Sequence, residues 1–446
     1  MASFAAGARL RRRRSPKSAF NFVLQAICVV YLGIIVVGIV AYKGAFLDVV
    51  FADPFFGIYS IVVCVFILSR FAFSLFYHSH PDAGIQPSVA IVMPAFNEEA
   101  AIVNSVRSLL AVNYPQELLE LVVVNDGSTD GTSAEIASVA AGEPRVRVIE
   151  FPENRGKRAA MAAGIRATSA EVVAFVDSDS ELDPKAVHNL VQGFAEERVG
   201  AIAGHADVLN SRESWIARMQ AVRYFVAFRV CKAAESVFGA VTCCSGCFSA
   251  YRRSAILPWL DQWENQSFLG KPATYGDDRS LTNYVLRDWS VTYESKAISR
   301  TIVPAHFRLF LRQQLRWKRS WTRESLIVSR FIWHKHPLAC MWTYLGIVLP
   351  LIAPVVALRA IVWMPISGGV GLPLIYLSGI YAMALVYGLY YGLRGGHQDT
   401  LWIFGVVFIF FYLAFLLWQT YYAILTARNP SWGTRSGQPA TAGVSS

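Results

Sequence analysis

Five long apolar stretches most constrain how this chain can fold. Two lie at residues 20–42 and 55–77, and three more lie at roughly 338–363, 367–393 and 400–426. Each is long enough for an α-helix that crosses a bilayer, which takes about 20 residues. Hydrophobic residues make up 54% of the chain and charged residues only 16%, a balance that excludes an ordinary soluble enzyme. The sequence therefore predicts an integral membrane protein.

A basic tail precedes the first apolar stretch, with five arginines and one lysine within residues 1–19. A cleaved signal peptide is one interpretation, but the apolar run is longer than a signal peptide requires and no small-residue cleavage site follows it. Because positive charges mark the cytoplasmic side of a span, the tail predicts a cytoplasmic N-terminus. A nucleic-acid-binding arm is a weaker interpretation, so we expect no nucleic acid partner.

The segment between the two groups of spans has the pattern of an open α/β sheet. Buried-strand patterns occur at residues 88–94, 121–124 and 171–176, and a helical periodicity occurs at residues 98–110. Strands that alternate with helices imply parallel βαβ units. Ligands of such sheets bind at the carboxyl ends of the strands, so the residues that follow these strands are candidates for a site.

Carboxylates directly after two of these strands indicate a metal and nucleotide site. Asp177 and Asp179 follow a buried strand, and such a pair can hold Mg²⁺ or Mn²⁺ together with substrate phosphates, although a solvated turn has the same pattern. Asp126 lies in a Gly/Ser-rich turn and could accept hydrogen bonds from a base or ribose. Lys157 and Arg158 form a basic cluster suited to a pyrophosphate, and their spacing excludes a P-loop ATPase or kinase.

Two later motifs indicate the reacting end of the same site. Asp278 is a candidate general base in the loop that opens a predicted helix at residues 280–287, where capping the helix is the alternative role. The pentapeptide Gln313–Trp317 ends in a cation and a large aromatic ring. Arg316 could neutralise a departing diphosphate, and Trp317 could stack on a sugar. The alternative is an ordinary basic interfacial helix.

Taken in order, these motifs resemble those of processive family 2 glycosyltransferases, which include cellulose, chitin and hyaluronan synthases. The resemblance covers most of residues 86–330 and implies a GT-A fold, a UDP-sugar donor, a divalent metal and an inverting displacement. The motifs that carry it are Pro94–Glu98, Asn125–Ser128, Gly156–Arg158, Asp177–Asp179, Asp277–Asp278 and Gln313–Trp317.

Within that group the chain is most similar to bacterial hyaluronan synthases and rhizobial chitooligosaccharide synthases. The segments Cys243–Cys247 and Tyr251–Arg253 occur in similar form in both, whereas Gly276–Arg279 and Trp432–Arg435 favour hyaluronan synthases. Cys247 replaces the proline expected after Ser245-Gly246, which affects the acceptor side of the predicted site.

The resemblance also implies a role for individual residues. Asp278, Arg316 and Trp317 would be catalytic, with Asp278 as the base, Arg316 as a diphosphate contact and Trp317 as the acceptor platform. Asp179 would be the more direct metal ligand, with Mg²⁺ or Mn²⁺ as the cofactor. The residues that would bind substrate are Ala95, Asn97, Glu98, Asp126, Lys157, Arg158, Asp177, Gln313, Gln314, Trp432 and Arg435.

These observations predict a multi-pass plasma-membrane enzyme with a cytoplasmic catalytic domain. We expect it to polymerise UDP-GlcNAc and UDP-GlcA into hyaluronan and to secrete the growing polysaccharide through its own channel, with membrane lipid as a further partner and no obligatory protein partner. The predicted divisions are a basic tail at 1–19, two spans at 20–77, a GT-A domain at 86–304, interfacial helices at 305–336, C-terminal membrane segments at 337–427 and a tail at 428–446.

Other functions fit parts of the pattern. A chitin or chitooligosaccharide synthase would use UDP-GlcNAc alone, and a non-processive transferase would glycosylate a lipid carrier. A transporter or receptor with a nucleotide-sensing domain leaves the base and acceptor motifs unexplained. One conflict concerns topology, because three C-terminal spans would place Trp432 and Arg435 outside the cell. We therefore expect one apolar segment to cross only partly or to lie in the interface.

Overall fold

The computed structural model describes residues 53–367, 371–394 and 400–429, together with Val23, Ala26, Ile27 and Val30. The predicted span at residues 20–42 and the basic tail therefore lie largely outside the described residues. Trp432 and Arg435 lie outside them too.

An eight-stranded mixed sheet forms the centre of the soluble domain, and a short two-stranded hairpin stands beside it. The order across the large sheet is β3-β2-β1-β4-β7-β6-β10-β5. The pairings among β3, β2, β1 and β4 are parallel, as is β6 with β10, whereas β7 runs antiparallel to both of its neighbours. The ten strands are β1 Val89–Ala95, β2 Leu119–Asn125, β3 Val146–Glu150, β4 Val172–Phe175, β5 Ser180–Leu182, β6 Val199–Val208, β7 Ser249–Arg252, β8 Ser267–Phe268, β9 Lys271–Pro272 and β10 Ser290–Thr301.

Strand β1 shows why the sheet is buried on both faces. All seven of its residues are buried. Val92 packs into one apolar cluster, with residues of α4 and α10, while Ile91 and Met93 pack into a second cluster on the opposite face. Continuous apolar strands are typical of parallel sheets covered by helices on both sides. The predicted open α/β sheet is confirmed.

Helices cover the sheet and make up most of the described part of the chain after β10. A π-helical segment, Ala227–Lys232, joins α6 to α7, and another, Arg359–Trp363, joins α12 to α13. The helices are α1 Pro54–Ser74, α2 Ile102–Leu110, α3 Thr132–Ala140, α4 Lys157–Ala167, α5 Ala186–Val191, α6 Trp215–Val226, α7 Ala233–Val237, α8 Arg253–Ile256, α9 Leu260–Glu264, α10 Asp277–Asp288, α11 Phe307–Val328, α12 Pro337–Leu358, α13 Met364–Ile366, α14 Gly371–Arg394, α15 Ile403–Phe411 and α16 Gln419–Leu425.

Among the described helices, two are long and apolar enough to cross a membrane, α1 and the continuous α12–α13. They correspond to the predicted spans at 55–77 and 338–363. The predicted span at 400–426 is instead a pair of helical segments, Thr400–Leu416 and Gln419–Leu425, bent by 47°. If this pair is counted as one span, the described helices include three candidate membrane spans. Helix α14, which covers most of the predicted span at 367–393, is not among these candidates.

Helices α1 and α12 form an antiparallel pair whose ends are linked by polar contacts. Near the soluble domain, the Trp342 indole N–H donates to Ser69 Oγ over 3.1 Å. At the other end, Arg359 Nε donates to the carboxylate of Asp53 over 2.7 Å. Asp53 also caps α1 by accepting from the Phe56 N–H. The register of the two helices is therefore fixed at both ends.

The chain returns to the soluble domain after the bent pair. The hydroxyl group of Tyr275 donates to the carbonyl oxygens of Ala427, at 3.3 Å, and Asn429, at 2.9 Å. Tyr275 directly precedes Gly276 and the two carboxylates of α10. The last described residues therefore lie beside the start of α10, whose first turn carries the predicted base; the sequence pattern instead predicts Asp278 in a loop before the helix.

Candidate active site

The loops after β1 and β2 are hydrogen-bonded to each other. Asn97 adopts a positive φ of 54°, and its side-chain oxygen accepts from the Thr129 N–H over 2.8 Å. The Asn97 N–H in turn donates to Ser128 Oγ over 3.0 Å, and that of Glu98 donates to Thr132 Oγ1 over 2.8 Å. Ala95, the last residue of β1, pairs with Asn125 of β2. These predicted substrate residues therefore share one edge of the sheet.

Asp126 organises the loop that leads into α4. Its carboxylate accepts from the Arg155 N–H over 2.7 Å and from the Gly156 N–H over 3.0 Å, and the residue is only 1% exposed. Gly156 has a φ of 94°, a conformation that L side chains rarely adopt. The predicted contact of Asp126 with uridine stays a prediction, but this carboxylate shapes the loop before the basic cluster.

Lys157 and Asp177 form an ion pair at the carboxyl end of β4, and Gly246 packs directly against it. A Cβ atom at Gly246 would lie 3.0 Å from Asp177 Oδ1 and 3.1 Å from Lys157 Nζ. A side chain at this position would therefore push the ends of the Asp177 and Lys157 side chains away by a few tenths of an ångström. Asp179 stands at the neighbouring edge, where Thr301 Oγ1 donates to its Oδ1 over 3.4 Å.

The segment Cys243–Cys247 connects the Asp177 side of the site to the predicted base. At one end Gly246 contacts Asp177, and at the other the Cys243 thiol lies 3.6 Å from Asp278 Oδ2. Burial, with the nearby Asp278 carboxylate, raises the pKa of Cys243 to about 12, so that this thiol is protonated at neutral pH. Asp177, a predicted donor-side residue, and Asp278, the predicted base, are therefore linked by the segment Cys243–Cys247.

The first turn of α10 carries Asp277 and Asp278 in different surroundings. Asp278 is partly exposed and accepts from the Arg279 N–H over 2.7 Å. Asp277 is 3% exposed and pairs with Arg158, whose Nε donates to Asp277 Oδ1 over 2.8 Å. Asp278 is therefore the carboxylate that substrate can reach, whereas Asp277 and Arg158 are held in the interior.

Gly276, just before these carboxylates, lies against α11. Its φ is 79°, and a Cβ atom there would lie 1.8 Å from Ser320 Oγ. A side chain at this position would therefore separate the first turn of α10, which carries Asp278, from the helix that carries the pentapeptide.

The pentapeptide lies within α11, and two of its side chains contact a residue that the motifs did not include. Arg223 of α6 donates to Gln314 Oε1 over 2.7 Å, and its guanidinium lies 5.4 Å from the centre of the Trp317 ring. Gln314 is buried, while Gln313, Arg316 and Trp317 are partly exposed. The mixed basic and aromatic composition of residues 212–235 predicts an amphipathic helix where α6 is found, but composition alone cannot single out Arg223.

A second cation follows the pentapeptide. The Lys318 ammonium donates to Thr420 Oγ1 over 2.8 Å and to the carbonyl of Leu416, at the bend of the broken helix pair. Burial, together with the positive charge of Arg223, lowers the pKa of Lys318 to about 8. No Asp or Glu of the described chain forms an ion pair with Arg223 or Lys318. The described surroundings of Trp317 are therefore cationic.

Comparison with known proteins identifies the family. The description Glycosyl transferase family 2 matches residues 90–257. The hyaluronan synthase of Streptococcus pyogenes is 31% identical over 413 residues, which cover 90% of this chain and 95% of that protein. The chain belongs to glycosyltransferase family 2. An N-acetylglucosaminyltransferase of Azorhizobium caulinodans is 32% identical to this glycosyltransferase over 360 residues, 79% of this chain and 88% of that protein.

A solved structure supports the fold of this glycosyltransferase. A mannosyltransferase from Pyrobaculum calidifontis in complex with GDP-Man and Mn²⁺ matches with a TM-score of 0.57 and 19% identity, covering 82% of this chain and 99% of that one. The predicted GT-A fold, joined to a helical region with apolar helices, is confirmed, and so is the prediction of an enzyme that transfers sugars.

The donor set of this glycosyltransferase suits a divalent metal held jointly with substrate. Within the described residues no group of three or more His, Cys, Asp or Glu side chains could hold a metal by itself. Asp177 and Asp179 nevertheless offer oxygen ligands one residue apart, and Mg²⁺ is commonly bound by one or two carboxylates plus substrate phosphates. These residues fit Mg²⁺ or Mn²⁺ once a diphosphate supplies the remaining oxygens.

Proposed function

We propose that this glycosyltransferase polymerises UDP-GlcNAc and UDP-GlcA into hyaluronan and passes the polymer through its membrane region. The observation that carries the proposal is the pair of cations beside the acceptor platform, Arg223 and Lys318, which have no acidic partner in the described chain. Buried charges are costly unless they are paired. A polymer with a carboxylate on every second sugar would supply the missing negative charge, and a neutral polymer would not.

In the proposed reaction the acceptor hydroxyl attacks the anomeric carbon of the donor sugar and UDP leaves from the opposite face. Asp278, the exposed carboxylate of α10, takes the hydroxyl proton. Trp317 holds the acceptor ring by stacking, while Lys157 and Arg316 face the departing diphosphate. Mg²⁺ or Mn²⁺ held by Asp179 and Asp177 would supply further positive charge for that leaving group.

The apolar helices support the proposed arrangement in the cell. The catalytic domain would face the cytoplasm, where UDP-sugars are available, and α1 with α12–α13 would anchor it in the plasma membrane as part of a multi-pass protein. Trp432 and Arg435 would close over the nucleotide from the membrane side. The position of Asn429, beside Tyr275 and the start of α10, supports that last assignment.

The second candidate is a chitooligosaccharide synthase, which is supported by the similarity to the Azorhizobium N-acetylglucosaminyltransferase. Product analysis separates the two. The purified full chain in lipid nanodiscs is given radiolabelled UDP-GlcNAc with and without UDP-GlcA, and the product is treated with hyaluronan lyase or with chitinase. We expect polymer only when both donors are present, degraded by the lyase alone. A chitinase-sensitive product made from UDP-GlcNAc alone would establish the second candidate instead.

A further inference from the structure

Arg158 and Asp277 form an ion pair inside the protein, between the first turns of α4 and α10. Their side chains are 5% and 4% exposed, and Arg158 Nε lies 2.8 Å from Asp277 Oδ1. Both residues have a neighbour in the proposed site. Arg158 directly follows Lys157, which pairs with Asp177. Asp277 directly precedes Asp278, the proposed base. The buried pair therefore links the donor side of the site to the base through adjacent residues.

The Nη1 group of Arg158 is also hydrogen-bonded in the interior. It donates to the carbonyl of Trp263 and to Gln266 Oε1, both over 2.9 Å, whereas Nη2 is buried but has no hydrogen-bond partner among the described residues. The guanidinium stands 5.4 Å from the centre of the Trp263 ring. The Trp263 indole N–H donates in turn to the carbonyl of Asp277 over 3.3 Å. Because Nη2 is closed off from solvent and the other two nitrogens are hydrogen-bonded inside the protein, a diphosphate could bind this guanidinium only if the surrounding residues moved.

A second set of contacts continues from Gln266 to α11. Gln266 Oε1 accepts from Ser280 Oγ over 2.8 Å, and its amide group donates to Glu324 over 3.3 Å. The Glu324 carboxylate also accepts from Asn283 over 2.9 Å and from Arg323 over 2.7 Å. The network thus joins α4, α10 and α11, the three helices that carry Lys157, Asp278 and Trp317.

We infer that the Arg158–Asp277 pair is a positioning unit that holds Asp278 in place relative to the donor, and that Arg158 does not contact the diphosphate. The inference rests on the proposed sugar transfer and adds a role for residues that touch no substrate. Misplacement of a reacting group by about 1 Å can lower a rate by about 100-fold. Because either residue alone leaves a buried charge without its partner, loss of one should be as harmful as loss of both.

The test is a double-mutant cycle on the full chain in nanodiscs with Arg158→Gln, Asp277→Asn and the combined variant. Arg166→Gln is the matched control, because Arg166 lies in the same helix but is 46% exposed and pairs with surface carboxylates. UDP affinity is measured by calorimetry with Mg²⁺ or Mn²⁺, and kcat is measured as UDP release, normalised to the number of UDP-binding sites. Normalisation removes any loss caused only by misfolding.

We expect each single variant to lower kcat by about 100-fold, the double variant to be no worse than either, and the UDP Kd to change by less than about threefold. Arg166→Gln should match the parent chain. A tenfold weaker UDP affinity in Arg158→Gln alone would make Arg158 a diphosphate contact and overturn the inference, and so would multiplicative losses in the double variant.

Two further results keep the test decisive. If Asp277→Asn does not fold, the variants Asp277→Glu and Arg158→Lys are used in its place. Both keep the two charges but change the geometry of the ion pair. We then expect a lower kcat with unchanged UDP affinity, and an unchanged kcat would refute the positioning role. If the parent chain binds UDP but releases none from any UDP-sugar, the proposed function fails, and the coupling of the pair is still measured by thermal unfolding.

Discussion

At the scale of single residues, Asp278 is the most direct test of the chemistry. It is the accessible member of the two adjacent carboxylates, and the Cys243 thiol and the Arg279 N–H orient it. We expect Asp278→Asn to lower transfer by about 10²- to 10⁴-fold, the usual contribution of a general base, because the amide cannot accept the acceptor's proton. UDP affinity, measured by calorimetry, should stay within a few-fold of the parent value. Near-normal turnover would remove Asp278 from this role.

Lys318 gives the site a dependence on pH. Since burial and the charge of Arg223 lower its pKa to about 8, the free enzyme loses this positive charge as the pH rises through 8. An unfolded lysine titrates near 10.4, so the cost of burying the charged form lowers stability most below pH 8 and is relieved as the pH rises toward 10. We expect the KM for an anionic acceptor oligosaccharide to rise above pH 8.

The control for this prediction is Lys318→Arg, because a guanidinium keeps its charge throughout this range. The KM of that variant for the acceptor should be nearly constant from pH 7 to about pH 9.5, the range over which the parent lysine loses its charge. The KM is measured from initial rates of UDP release at saturating donor. The same pH dependence in both proteins would assign the effect to another group.

At the scale of elements, the position of α10 against α11 depends on Gly276. Replacement by alanine places a side chain where φ is 79° and where Ser320 Oγ lies 1.8 Å from the new Cβ. We expect Gly276→Ala to lose about 1–2 kcal/mol of stability from the backbone conformation alone, and more from the contact. Transfer activity should fall with it, because the first turn of α10, which carries Asp278, moves away from α11.

The second variant for this prediction is Gly276→Ala combined with Ser320→Gly, which removes the colliding side chain but not the unfavourable φ. Part of the lost activity should return while part of the lost stability remains, as measured by UDP release and thermal unfolding. If Ser320→Gly restored nothing, the close approach of the two helices would not be the cause.

The elements that sequence could predict are those fixed by local pattern. The apolar runs of β1, β2 and β4 were found within about two residues of their observed ends. The helix expected at residues 98–110 begins only at Ile102, because Asn97 takes a positive φ and the Glu98 N–H is bonded to Thr132. That bond is made to the first residue of α3, which lies 34 residues further along the chain, and periodicity cannot show such a contact.

The site was predictable only as a set of motifs. Asp177 and Asp278 stand out because each follows or opens a recognisable element. The antiparallel insertion of β7 between β4 and β6 joins strands far apart in sequence, and it is this pairing that places the Cys243–Cys247 segment between the two carboxylates. Arg223 is one basic residue in a mixed helix, and its place beneath Trp317 depends on packing between α6 and α11.

At the scale of the whole molecule, Tyr275 joins the end of the bent helix pair to the start of α10. We expect Tyr275→Phe to weaken UDP binding several-fold, because it removes the hydroxyl that holds Ala427 and Asn429 just before the proposed nucleotide contacts at Trp432 and Arg435. A single hydrogen bond contributes about 0.5–1.5 kcal/mol, which corresponds to this loss.

The matched control is Tyr421→Phe, which also removes one hydroxyl–carbonyl hydrogen bond, from Tyr421 to Leu351, but within the membrane region. Calorimetry with UDP should give the parent affinity for that variant. Equal losses in both variants would point to a general effect of stability, and no loss in Tyr275→Phe would separate the end of the chain from nucleotide binding.

The paired ends of α1 and α12 have a consequence for the bilayer itself. With Asp53 bonded to Arg359 at one end and Ser69 to Trp342 at the other, neither helix can slide past its neighbour to match a different lipid thickness. A 21-residue helix such as α1 is about 31 Å long, close to the hydrocarbon thickness of an average bilayer. In thinner lipid the two helices must tilt together as one body, and that tilt would be transmitted directly to the catalytic domain, to which both are joined.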